Sequence, residues 1–492
     1  EKTAVEQFGR ESKYIGATVL LVTMPGLPMI GHGQVEGFHE KYGMEYKKAY
    51  WDEPVDEHLV KEHEKRIFPL MRRRWLFSGA ENFRFYDFKN GEHLYEDVFA
   101  YSNRAGDQRA LVFYHNRFAT VSGRIKLSTQ YAVNCGNGEM THATETVGSA
   151  LGFNGDGRHY YVYRDYAAGS EFISNGRELC NEGFFISLEA YDYHVYLDFR
   201  EIRDDDYGTW GKLCQNLAGR GVASIDEEVK QIRYAALIDL LRSHLEKSRA
   251  LLTEEFAGLA PADLAREKEK FADTQQVFLS ALAVTAGLTD SGRQQIKALL
   301  AELAYLEEAA QREGSLLAGE TAKLLIFVWL VLHRCGELTA AADPAAAGSD
   351  LVSNFGLARP LEEELSGEAT ATGDRLAQLD IAAVMALFAV LLRWQRFMAF
   401  SAPAQAELLP TLLADRDVAA FLGLHSSGGF QWFIRERWEL LLELLELVSL
   451  AAAAGDGRTR KDAGTPAAKQ RLLKSAAAAG YRLDRLLAGG AC

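Results

Sequence analysis

The 492-residue sequence contains no Cys-x-x-Cys pair. Its five cysteines, Cys135, Cys180, Cys214, Cys335 and Cys492, are scattered and odd in number. That spacing gives no support to a zinc or thioredoxin-type site. A reducing compartment, the cytoplasm, is the expected location. No apolar run reaches the ~18 residues needed to cross a bilayer. The longest, Leu324 to Leu332 and Ile381 to Leu392, read as helices buried inside a protein, so no membrane partner is expected. Positive charge is not in excess either: 54 Lys and Arg face 68 Asp and Glu, a net charge of −14. That excludes a general affinity for nucleic-acid backbone. Ser78, Ser102 and Ser122 lack the G-x-S-x-G context of a nucleophile elbow. His58 and His63 are five residues apart, not the i, i+4 spacing that puts two ligands on one helix face. Neither a metal nor a cofactor is expected.

What is present sorts into regions by pattern, and the length suits about three or four domains. Residues 1–78 are α/β in character. The pattern predicts a helix over about 10–24, a strand over 27–31, a loop over 33–55 and a second helix over about 56–77. Leu59, His63, Ile67 and Leu70 stand at helical spacing in the second helix, and Pro69 is predicted to kink it. Arg72-Arg73-Arg74 read as cations favoured at that helix's C-terminus. Residues 79–203 carry runs such as Leu111-Val-Phe-Tyr114 and Tyr193-His-Val-Tyr-Leu-Asp-Phe199 between Gly, Asn and Asp clusters. Short aromatic and β-branched runs with turns between them predict an antiparallel β-sandwich. Residues 204–454 read as helical throughout, with a capping box at Ser224-Ile-Asp-Glu227. Within them, 338–376 is rich in Ala, Gly, Ser and Thr and reads as a loop or linker. Residues 455–492 form a basic helical tail, eight Lys or Arg against three Asp, expected to be a solvated helix face.

One stretch is dense in chemistry. Val22 to Gly37 reads V-T-M-P-G-L-P-M-I-G-H-G-Q-V-E-G: an apolar helical run stops at Pro25-Gly26, a short apolar run follows, and a glycine-broken polar loop ends it. Helix, turn, strand and loop is the repeating unit of an α/β barrel, which keeps its chemistry at the strands' C-terminal ends. The segment Gly31-His-Gly33-Gln-Val-Glu-Gly37 has three readings. As a dinucleotide loop its third glycine is one residue late and no long helix opens after it. As a plain loop its glycines only permit tight turns. As a substrate-facing barrel loop, His32, Gln34 and Glu36 offer polar groups. Tyr42, Tyr46, Tyr50 and Trp51 follow. Their rings suit either stacking on apolar ligand faces or packing of the barrel rim.

The wording of this stretch resembles the eighth strand of the alpha-amylase superfamily of glycoside hydrolases, family thirteen. In that family a Pro-Gly-like turn leads into Pro-x-x-x-x-Gly, then Gln, Glu or Asp, then a further Gly. Here the matching positions are Pro28, Gly33, Gln34 and Gly37, with Glu36 between. The loop departs from better-known members, which carry aromatic residues where Gly31 and His32 stand. The resemblance implies a fold of three parts: a truncated (β/α)8 barrel remnant, its last helix–strand–helix unit, in 1–78; a sandwich in 79–203; and an added all-α region, as in long bacterial amylase-like proteins. It implies the C-terminal portion of a glycosidase or glucanotransferase acting on α-glucans or related oligosaccharides. Retaining hydrolysis needs a nucleophilic carboxylate and a carboxylic acid about 5–5.5 Å apart. The family places these after strands four and five, with a third acid in Asn-His-Asp after strand seven. Glu1 to Gly9 leads into the helix that follows, so the resemblance puts all three upstream and gives no residue here a catalytic role. It makes His32, Gln34, Glu36, Tyr42 and Trp51 candidate sugar-binding residues, with a non-catalytic carbohydrate-binding or protein-interaction module as the alternative.

Overall fold

A computed structural model describes residues 2–40, 48, 50–134, 136, 140–248, 251, 260–366, 374–458 and 465–488. The chain is mixed α and β, with antiparallel sheets, a helical C-terminal region and no closed barrel among the described residues. It divides into two compact units, Glu1–Ile232 and Arg233–Cys492.

In the first unit the aromatic runs build a six-stranded antiparallel sheet. Its order is Arg84–Tyr86, Val98–Ala105, Gln108–His115, Tyr193–Arg203, His159–Asp165, Glu171–Asn175. Side chains alternate between faces with period two. In Gln108–His115, Leu111 and Phe113 enter a core shared with Val121, Ile125, Phe184 and Ile186 of a four-stranded sheet. Ala110, Val112 and Tyr114 enter the opposite core, with Tyr14, Val19, Val22 and Leu70 of the N-terminal helices. Burial on both faces explains why these strands read as nearly continuous apolar runs.

Strand Tyr193–Arg203 keeps this arrangement by means of a bulge. Asp198 sits at φ 55°, and the pairing register shifts between Leu197 and Arg200. Tyr196 and Phe199 therefore reach the same core, although they differ in parity. Arg73 donates to both Asp198 carboxylate oxygens, at 2.6 and 3.3 Å, and pins the bulge.

The strand expected at 27–31 is not formed: 27–30 has no regular secondary structure and no strand pairs with it. An isolated extended segment has no ladder to join. The second predicted helix is divided into Glu57–Glu62, a π turn at His63–Ile67, Phe68–Arg72 and Arg74–Phe77. Pro69 has no N–H to give, and Phe68 donates five residues back to His63. The basic run serves a different helix from the expected one. Arg74 donates to the carbonyls of Val22 (2.8 Å), Met24 (2.6 Å) and Gly26, and so satisfies the C-terminal end of Ser12–Thr23.

The compact units divide at 232/233, so the first helices after residue 203 belong with the sheets. Helices Thr209–Leu217 and Ile225–Arg233 pack Leu213, Leu217, Ile225 and Val229 onto Tyr160, Val162 and Ile173 of the sheet. Ser224 caps the second of them, accepting from Glu227 N–H at 3.4 Å.

The second unit is helical around one core that includes Trp329 and Trp438. Both long apolar runs lie in its buried helices, Glu320–Leu332 and Ile381–Trp394. No helix among the described residues is long and apolar enough to cross a membrane. Three expectations change. The supposed loop 338–376 carries helices Pro344–Asn354 and Ala358–Leu365, the first started by Asp343 accepting from Ala345 N–H and by Pro344 in its first turn. Strands His425–Ser427 and Phe430–Trp432 form a hairpin inside the region read as all helix. Gly428 and Gly429 supply its positive-φ turn, at 59° and 80°. The basic tail is anchored, with Ala468, Leu472, Ala476 and Leu486 in the core.

Candidate functional site

The loop that begins at Gly31 is positioned by helix Ser12–Thr23. Tyr14, Ile15, Thr18, Val19 and Val22 form its buried stripe. The Tyr14 hydroxyl donates to the Gln34 carbonyl. Burial pushes the Tyr14 phenol up to about 12, and Glu36 adds to that effect, so the hydroxyl stays a donor across the neutral range. Gly33 and Gly37 both have positive φ, 68° and 77°. At Gly33 a Cβ would also collide with the Phe38 side chain, so two of the motif glycines are required by the backbone itself.

The candidate residues divide by what they touch. Gln34 is engaged in its own turn, its side-chain oxygen accepting from Gly31 N–H at 3.1 Å. His32 is exposed, its ring centroid 5.8 Å from that of Phe38. Glu36 is half-buried, and its backbone carbonyl accepts from Asp56 N–H at 3.0 Å. Its carboxylate makes no hydrogen bond or ion pair with the described residues. Tyr50 and Trp51 are 69% and 61% exposed. Tyr42 and Tyr46 lie outside the described residues.

The residues that hold the loop carry no sequence motif. Buried Glu40 accepts from the N–H groups of Tyr50 and Trp51, at 2.7 and 3.0 Å. Glu53 accepts from His39 N–H at 2.8 Å and from Glu40 N–H at 2.7 Å. The two glutamates thus close the neck of the loop reciprocally. Arg10 adds a third tie, donating to the Gly37 carbonyl at 2.8 Å and pairing with Asp56 at 3.2 Å. Asp56 also caps helix Glu57–Glu62 through Leu59 N–H. The main chain at Tyr50 and Trp51 is therefore fixed while their rings face solvent.

Acid–base work by Glu53 is disfavoured. Desolvation pushes Glu53 up, but the N–H groups of His39 and Glu40 and the charges of His39 and Arg10 outweigh it and hold the group below the usual range. A carboxylate kept ionised is no proton donor at neutral pH. The buried His63 is a core residue, with Nδ1 donating to the Leu59 carbonyl at 2.9 Å and its ring between Tyr14 and Phe68. No cluster of three potential metal ligands occurs among the described residues.

Two other charged clusters are held in internal pairings. His194 bridges Asp165 (Nδ1, 2.5 Å) and Asp192 (Nε2, 3.3 Å). Burial opposes its charge, yet the two carboxylates prevail and raise it to about 9. With both nitrogens engaged it offers no free base. In the second unit Glu302 is fully buried between His333 Nε2 (2.7 Å) and Arg334 (Nε, 2.8 Å). Arg334 also reaches Glu337 and Asp456, and the His333 ring stacks on Trp329 at 3.9 Å. Each of these groups is matched by a partner of its own.

No protein-family model matches the chain, and no curated protein matches it.

Proposed function

We propose that the chain is the C-terminal portion of an alpha-amylase-type glycosidase or glucanotransferase acting on α-glucans or related sugars. On this reading residues 1–78 are the last helix–strand–helix unit of a (β/α)8 barrel, and the two sheets within 79–203 are its β-sandwich. The catalytic carboxylates lie in sequence upstream of Glu1, as the resemblance implies. The observation that carries the reading is the segment 27–30. It is apolar at every position, yet Leu27 and Met29 are 85% and 77% exposed. Neighbouring exposed apolar side chains suit a contact surface, and the packed layer beside a barrel strand would supply one. The loop that follows presents the Tyr50 and Trp51 rings, with Glu36 available for a sugar hydroxyl. The unpaired thiols of Cys180, Cys214 and Cys335 support a reducing, cytoplasmic setting.

A second reading, a non-catalytic carbohydrate-binding or interaction module, draws on Glu40 and Glu53. Their commitment to backbone amides leaves a loop held in shape for binding. One experiment separates the two. The genomic frame upstream of Glu1 is translated, and the extended protein is expressed beside the 492-residue chain. The enzyme reading expects an Asn-His-Asp motif and earlier Asp and Glu motifs in that frame. It expects reducing-sugar release from soluble starch by the extended protein alone. A frame that opens close to Glu1, or sugar release by the 492-residue chain itself, overturns it.

A further inference from the structure

The helical unit contains a cleft of about 670 Å³, inside the range of roughly 300–1,000 Å³ typical of small-molecule sites. Segment 311–319, the start of helix Glu320–Leu332 and helices Arg435–Gly455 and Thr465–Ala478 enclose it. Leu316, Leu447 and Leu450 give it apolar surface. Most of its charges are paired, Arg375 with Glu443 at 2.6 Å, Lys469 with Glu446 at 2.5 Å and Arg312 with Glu308 at 2.9 Å, while Glu313, also in the lining, is exposed.

The helix end that opens into the cleft is already satisfied. Gly319 offers no side-chain cap, and buried Asp374 takes that role from a distant loop, accepting from Thr321 N–H at 2.7 Å. A Cβ at Gly319 would stand 2.7 Å from the Asp374 carboxyl carbon, so the glycine makes room for this cap. The position where an anion would gain from the helix dipole is therefore filled by the protein's own carboxylate.

A ligand of one charge meets groups of both signs here, and an anion finds the helix start taken by Asp374. A hydroxyl group suits both signs, because it both donates and accepts. Each ion pair uses one oxygen of its glutamate, and among the described residues nothing else bonds to the second. The Arg375 and Lys469 groups retain further N–H donors. Donors and acceptors thus sit side by side, next to leucine surface that suits the C–H face of a ring. We propose that this cleft binds a neutral polyhydroxylated ligand of oligosaccharide size, at a site distinct from the loop 31–56. The inference goes beyond the amylase reading and stands without it.

The test is calorimetric titration of the 492-residue chain with maltotriose and trehalose as neutral probes, phosphate as an anion and choline as a cation. Saturable binding of a neutral sugar is expected, with no competition from the two ions. Ala318 lines the cleft at an exposed position. Ala318→Trp should fill the cleft and weaken sugar binding at least tenfold without changing the melting temperature. Arg375→Ala, at a part-exposed position, should weaken it about two- to tenfold, as expected for one lost hydrogen bond. The proposal falls if neither sugar binds, if phosphate or choline displaces the sugar, or if both variants bind normally. It also falls if Trp51→Ala, and not Ala318→Trp, abolishes binding, since the sugar then sits at the loop.

Discussion

The two units bury acidic groups in different ways. In the first, Asp165 lies fully buried in the sheet but meets a histidine that keeps one edge in water, and the loop acids Glu40 and Glu53 meet backbone amides. In the second, Glu302 meets a guanidinium and an imidazole that are themselves almost fully buried. The strand edges and loop necks of a sheet unit leave amides unpaired and available to carboxylates. Helices consume their own amides beyond the first turn, so an acid buried along their length, as Glu302 is, needs a cationic side chain, whereas Asp374 at a helix start still meets amides. The close approach this requires is visible at Gly455, where a Cβ would collide with a Glu302 oxygen.

The contrast predicts its largest effect at Glu302. Glu302→Ala leaves Arg334 and His333 buried without the carboxylate they share. Removing one partner of a buried pair typically costs about 3–5 kcal/mol, and urea unfolding should register a loss of that order. A double Glu302→Met, Arg334→Met replacement should recover much of it, because apolar groups of similar volume often serve as well. A single variant that loses less than about 1 kcal/mol would break the comparison, since Glu302 would then be no more demanding than a surface acid.

The sequence revealed features that depend on local rules and hid those that depend on distant partners. Helix Ser12–Thr23, the buried runs of the helical unit, the antiparallel strands and the Ser224 cap follow from periodicity and neighbouring residue types. The hairpin at 425–432 and the helix after Asp343 were legible too. Ser-Gly-Gly between short runs is a local turn signal, and Asp-Pro before Ala-rich sequence a local helix start. Within the loop, His32, Gln34, Glu36 and Trp51 stand out by motif. The residues that hold it do not: Glu40 and Glu53 act on backbone amides 10 to 14 residues away, and an amide leaves no mark in sequence. The failed strand at 27–31 has the same origin, because a strand is a relation between segments.

The next effect concerns pH. The folded pKa of His194 is raised from its usual value near 6.5 to about 9. Its stabilising contribution is therefore complete below about pH 6.5 and disappears as pH rises through 9. A tenfold change in proton affinity corresponds to about 1.4 kcal/mol, so the loss approaches roughly 3 kcal/mol as an upper bound. Asp192 behaves oppositely. Desolvation raises it, but His194 prevails and holds it below the ordinary value, so its contribution is present in the neutral range and lost in acid. Unfolding free energy measured from pH 6 to 10 should fall in the native protein, and His194→Asn should flatten that fall. An equal slope in both would mean that the imidazole is no cation in the folded state, and the first unit's way of neutralising Asp165 would need another explanation.

The smallest effect sharpens the comparison within the loop, where the Glu36 carboxylate has no partner of either kind among the described residues. Gln34 braces the Gly31 turn, whereas the Glu36 carboxylate touches none of the described polar groups. Gln34→Ala should therefore lower stability by about 0.5–1.5 kcal/mol, the usual worth of one hydrogen bond. Glu36→Ala should leave stability within about 0.5 kcal/mol of the parent, as surface substitutions do. On the proposed amylase reading, the ranking should reverse for sugar turnover by a protein extended upstream of Glu1. Losing a charged hydrogen-bond partner costs about 1.5–3 kcal/mol, so Glu36→Ala should reduce kcat/KM by roughly 10- to 150-fold. Gln34→Ala should reduce it only as far as the loop loosens. Paired melting and kinetic measurements decide the matter. If Glu36→Ala loses stability in step with activity, its carboxylate is a brace like Gln34, and Trp51 with Tyr50 is left to carry the binding face of the loop.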